Sequence, residues 1–115
     1  MEVNKMSNSL NFNNIKKRYL TVTLADDANT VIMVGTPTKS VLDSLLAMKD
    51  SLSADNMSDE AIDDLYDICA KIMSRNKTGR RVTKEMVTEL FDFEDIIIFI
   101  RAYTAFINEV TNSKN

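Results

Sequence analysis

The hydrophobic period of this chain changes at its single proline, Pro37. Before it, apolar residues alternate; after it, they recur every three or four positions. In R-Y-L-T-V-T-L-A, Arg18 to Ala25, the residues Leu20, Val22 and Leu24 form one set, and Tyr19, Thr21 and Thr23 the other. β-Branched residues suit a pleated, half-buried surface. D-D-A-N follows, then T-V-I-M-V, and two such runs around a short polar turn predict a β-hairpin. The second run is apolar at four successive positions, Val31 to Val34. That pattern predicts cover on both faces, one by helices and one by another chain.

Beyond Pro37 the pattern is helical. Helix one is expected from Pro37 to about Leu52, with Thr36 as N-cap and Pro37 at the first helical position, where its missing N–H costs nothing. Val41, Leu42, Leu45, Leu46, Met48 and Leu52 fall on one broad face. Ser58 caps helix two, which carries Asp59 and Glu60 in its first turn and a stripe of Ile62, Leu65, Tyr66, Ile68, Cys69, Ile72 and Met73. It ends in S-R-N-K-T-G, with Gly79 as terminator. Thr83 caps a short helix three, with Val82 packing on Val87 as a staple. Asp92 caps helix four, from Phe93 to about Val110. The expectation is an α+β fold, an N-terminal β-hairpin followed by a compact bundle of about four helices. Residues 16–111 form one domain, between a flexible tail at 1–15 and a frayed end at 112–115.

The junction V-I-M-V-G-T-P-T-K-S has the order of a phosphate loop, strand then glycine then Lys-Ser then helix, but not its spacing. G-x-x-x-x-G-K-[ST] lets glycine amides cradle phosphates. With Lys39 as the lysine, the two glycines belong where Met33 and Thr38 stand, and Pro37 deletes a backbone donor inside the cradle.

Composition narrows the function. The chain has 115 residues, one Cys and no His, so the commonest general base and metal ligand is missing and a thiolate zinc site cannot form. The acidic stretch from Asp55 to Asp67 lacks the EF-hand order of oxygen ligands around a glycine. The reading is not an enzyme, and no cofactor or metal is called for. A net charge of −3 disfavours nonspecific nucleic-acid binding. The N-terminal stretch has no signal-peptide core, and no apolar run approaches the ~20 residues that span a bilayer, so a cytoplasmic protein without a membrane partner is expected.

Charge is segregated along the chain. Acids from Asp55 to Asp67 precede bases from Lys71 to Lys84, which complements a helix dipole, and Asp67 and Lys71 are spaced for an i,i+4 pair. Helix four is more unusual. Ile96 to Ile100 are consecutive apolar residues, pointing nearly all the way round a helix. Either this is the central core helix, or part of it meets another chain. The candidate protein-interaction residues are therefore Ile96, Ile97, Phe99, Ile100, Tyr103 and Phe106, joined by Val31 and Met33 on the second strand.

The order of these segments resembles the tail assembly chaperones of long-tailed phages and prophages of Gram-positive bacteria, small acidic proteins with a hairpin and a helical body. V-T-x-E-x-V-x-E-L-F-D-x-E-D, Val82 to Asp95, carries most of the likeness, which runs from about Lys17 to Val110. The resemblance implies a non-catalytic protein; a homo-oligomer is expected from the residues themselves, from the apolar excess of helix four joined to a hairpin too small to be self-sufficient. The resemblance implies that the chain binds the tape measure protein and assists tail tube assembly, with the tail tube protein as a possible second partner. It further implies a role in the host cytoplasm and absence from the mature virion. It implies no site residues. The rival reading is a small helical nucleic-acid-binding or regulatory protein using the basic loop 75–84.

The junction yields the first test. Calorimetric titration with ATP or GTP is expected to give no saturable heat, in the wild type and in Lys39→Ala alike.

Overall fold

The computed structural model describes residues 9–52 and 58–112. Of the expected tail, 1–8 lie outside the described residues; 9–15 are exposed and hold one 3-10 turn, Phe12–Asn14, in which the Asn13 amide donates to the Asn11 side chain. Of the expected frayed end, Asn112 is still helical and 113–115 lie outside the described residues.

The hairpin forms as the alternation predicts. β1 (Leu20–Thr23) pairs antiparallel with β2 (Val31–Val34), in the register Leu20↔Val34, Thr21↔Met33, Val22↔Ile32 and Thr23↔Val31. Leu20, Val22, Ile32 and Val34 face the core, and the two threonines with Val31 and Met33 face outward. Asp26 shapes the turn: its carboxylate accepts from the Thr30 hydroxyl at 2.6 Å and the Thr30 amide at 2.8 Å. Asn29 takes the left-handed conformation, φ 52°, which asparagine tolerates better than most residues. The Thr30 bonds hold the Asp26 carboxyl below its ordinary range. The support this gives the turn is therefore present above the unfolded carboxylate pKa and is lost as pH falls through the folded one.

Four helices follow: α1 (Lys39–Leu52), α2 (Asp59–Ser74), α3 (Lys84–Leu90) and α4 (Phe93–Asn112). Three begin on the predicted caps. Ser58 Oγ accepts from the Ala61 amide, and Thr83 Oγ1 from the Met86 amide. Asp92 and Asp95 form a reciprocal box, each carboxylate accepting from the other's backbone N–H. Helix one starts later than predicted. Thr38, not Thr36, is the cap: its carbonyl accepts from Leu42 at 2.9 Å and its hydroxyl lies 3.5 Å from the Val41 amide. Pro37 therefore precedes the helix. On the α1 face, Leu45 and Met48 are buried and Val41 and Leu42 half-buried, but Leu46 is 53% exposed. The side chain of Leu52 lies outside the described residues.

α2 is the hub. It alone contacts α1, α3, α4 and β2, and Leu65, Cys69, Ile72 and Met73 on it are fully buried. Burial pushes the Cys69 thiol up to about 12, as expected of a structural cysteine. The predicted Asp67–Lys71 pair forms at 3.2 Å, and Lys84 reaches Asp63 at 2.6 Å from α3.

Gly79 does not terminate α2. The helix stops at Ser74, and Gly79, φ 74°, turns the chain later. The loop between α2 and α3 is organised by Asn76, the one buried polar residue among those described. Its amide donates to the carbonyls of Met73 and Arg80, at 2.9 and 2.7 Å, and its carbonyl accepts from the Arg80 amide and the Thr78 hydroxyl, at 2.8 and 3.1 Å. All four hydrogen-bonding positions of the side chain are filled. The loop so shaped runs beside β2. The Gly35 amide donates to the Arg75 carbonyl and the Lys77 amide to the Met33 carbonyl, both at 2.8 Å. Ser74 closes the loop's far end, its hydroxyl bonded to both the amide and the carbonyl of Val82.

Replacing Asn76 with Leu strands several of these groups. Each buried unsatisfied group costs about 1–3 kcal/mol, so urea denaturation of Asn76→Leu is expected to show a loss of about 3 kcal/mol.

Candidate protein-interaction surface

The structure separates the predicted interaction residues into three groups. Ile96, Phe99, Ile100, Tyr103 and Phe106 are core residues, Ile96 and Tyr103 with no exposed surface at all. The reason is local. These five lie at helical spacing on the side of α4 turned toward α2, and the aromatic rings pack in sequence, Phe99 to Tyr103 at 5.8 Å and Tyr103 to Phe106 at 6.0 Å between centroids. The Tyr103 hydroxyl donates to the Gly35 carbonyl at 2.8 Å, tying α4 to the end of the hairpin. Burial pushes its phenol well above the ordinary tyrosine range. Ile97 is half-buried against the same core. Val31 and Met33 alone of the eight are surface residues, 57% and 38% exposed.

α4 is not covered all round, as its apolar run suggested. Ile98, which sequence reasoning passed over as a candidate, is 58% exposed. A signal for it was present. Glu94, Asp95, Arg101 and Ala102 stand three and four positions away, so Ile98 shares its face with polar and small residues rather than with the core stripe.

Ile98 borders an open groove of roughly 370 Å³. One wall is the backbone and side chains of β1, Leu20 to Thr23. The other is α4, through Asp95, Ile98, Phe99 and Ala102, and Phe91 and the buried Met73 complete the lining. Within the described residues β1 pairs with β2 alone, so its other edge, beside this groove, carries unpaired backbone groups. The wall at Phe91 is held in place: the Tyr66 hydroxyl lies 3.4 Å from the Phe91 carbonyl. Burial, then the Asp92 carboxylate, raises the Tyr66 phenol. Asp95 is the groove's one charge, and its carboxylate already accepts from the Asp92 amide. The groove is thus mostly apolar, with a strand edge on one side and an exposed isoleucine on the other. Such a shape can seat an apolar helix face or an added strand.

Among the described residues, no group of three or more Cys, Asp or Glu converges for a metal ion, and no helix is long and apolar enough to cross a membrane. Comparisons with protein-family models, with characterised proteins and with solved structures return no match.

The division between core and groove is measurable by truncation. Ile96→Ala removes a fully buried side chain and is expected to cost about 2–5 kcal/mol. Ile98→Ala should change stability by no more than about 0.5 kcal/mol. Paired denaturant titrations check both.

Proposed function

We propose that this chain is a non-catalytic phage tail assembly chaperone that holds the tape measure protein through its apolar surface and assists assembly of the tail tube. The observation that carries the reading is the groove between β1 and α4, with Ile98 exposed on its rim. The segment order and the Val82–Asp95 stretch, which resemble such chaperones, supply the partner.

The chemistry of that partner suits the groove. A tape measure protein is a long, largely helical, amphipathic chain, and its apolar stripe needs cover until the tube encloses it. The groove offers apolar walls, and Ile98 on its rim is 58% exposed and free to meet an apolar side chain. One groove this size gives only a weak contact. Many copies along one partner convert weak contacts into firm holding, because each bound copy raises the effective concentration of the rest. Loose, adaptable seats in series fit a long partner of varying sequence better than one tight pocket does.

Co-expression provides the test. The wild-type chain is expected to keep a co-expressed tape measure protein in the soluble fraction. Ile98→Asp, at an exposed site, is expected to keep native helix content by circular dichroism and to lose this ability. Loss of the partner's solubility with both proteins, or its retention with Ile98→Asp, would remove the proposed role for the groove.

A further inference from the structure

A second surface lies at the far end of α2. Lys16, Lys17 and Arg18 from the segment before β1 meet Arg75 and Lys77 from the loop after α2 around a cleft of about 580 Å³. No carboxylate lines it, and none of these five cations has an ion pair among the described residues. Arg75 is positioned, its Nε–H donating to the Thr36 carbonyl at 3.0 Å, which leaves the other guanidinium N–H groups unused by that bond. The dipole of α2 accounts for basic residues following its C-terminus. It does not account for three more cations arriving from a different part of the chain. In a protein of net charge −3, this convergence marks a site for an anion, since a concave basic surface focuses its field on whatever enters.

Two features choose the kind of anion. Tyr19 is the cleft's one aromatic residue, and its ring is engaged. Lys77 Nζ stands 5.6 Å from the centroid. A nucleic-acid base would have to compete with Lys77 for the one ring the cleft offers. The molecule also carries the complementary charge. Asp59, Glu60 and Asp64, in the first turns of α2, are exposed and have no ion pair among the described residues. They cannot serve their own cleft, because the 16 residues of α2 place the two ends about 24 Å apart.

We infer that the cleft formed by Lys16, Lys17, Arg18, Arg75 and Lys77 receives the acidic first turns of α2 from a second copy, so that copies associate head to tail. The two surfaces differ, so the contact is heterologous and repeats, adding copies in a row or closing a ring. It is electrostatic, whereas the groove beside Ile98 is apolar and stands elsewhere. The association is a property of the chain alone, so its failure leaves the partner-holding role standing, and the converse holds.

Sedimentation velocity on the full chain tests it. The Debye length is ~10 Å at 0.1 M salt, so roughly 0.02 M and 0.5 M bracket weak and strong screening. Concentration-dependent, faster-sedimenting species are expected at the low salt and a monomer at the high salt. A cleft reversal, Lys17→Glu with Lys77→Glu, should remain monomeric throughout. A helix-end reversal, Asp59→Lys with Glu60→Lys, should do the same. All four positions are exposed, and circular dichroism checks that each variant is folded. Mixing the two variants should restore the faster species, because each reversed surface then meets its opposite. A wild-type chain that is monomeric at low salt, association unchanged at high salt, or a mixture that stays monomeric would overturn the inference. So would a cleft variant that sediments like the wild type while losing binding to a labelled single-stranded oligonucleotide; the cleft would then be a nucleic-acid site.

Discussion

The buried side chain of Asn76 holds together parts of the molecule that have little stability of their own. A two-stranded hairpin is marginal in water, and β1 and β2 span only four residues each. What fixes them is the loop after α2, which lends its backbone to the edge of β2 through Arg75 and Lys77. That loop has no regular structure to hold its own shape. Asn76 supplies the shape by bonding at once to the last turn of α2 and to Arg80 beyond the bend. The hairpin is thereby docked on α2, the hub of the helices, and the Tyr103 hydroxyl pins its end from the other side. The same bend presents Arg75 and Lys77 to Lys16, Lys17 and Arg18, so the basic cleft also depends on it.

The parts of the fold that were legible in the sequence are those set by local chemistry. Strand alternation placed Leu20, Val22 and Leu24 inward. Ser58, Thr83 and Asp92 cap because a short side-chain oxygen before an apolar repeat has few better uses. The failures arise where two local solutions compete or where a distant contact decides. T-P-T offers two threonines either side of a proline, and Thr38 prevails over Thr36. Gly79 looked like the end of α2, but the helix had already been stopped by an asparagine whose partners lie on both sides of the bend. Nothing in S-R-N-K-T-G marks that asparagine as buried.

The interaction residues were legible only in part for the same reason. Five consecutive apolar residues tell that a helix is greasy, not which of its sides the core takes. Once α2 occupies the side of Ile96, Phe99, Ile100, Tyr103 and Phe106, Ile98 is turned outward by the geometry of the helix. Exposure was then decided by the neighbours of Ile98 at helical spacing, and these are residues that a reading centred on hydrophobicity passes over. The outward positions of Val31 and Met33 follow from the hairpin's register, which places them opposite Thr23 and Thr21.

The lone thiol gives the molecule an internal clock. Cys69 is fully enclosed in the middle of the hub helix, and its burial holds it protonated far above neutral pH. An alkylating reagent can act on it only while the hub is open, because the thiolate is the reactive form and needs access. When reclosing outpaces reaction, the rate of labelling reports the equilibrium population of the opened form. The opening of α2 can thus be followed by mass spectrometry in native buffer, without denaturant or an added label site. Comparing that rate in the presence and absence of a partner would separate surfaces that merely touch the domain from those that steady its hub.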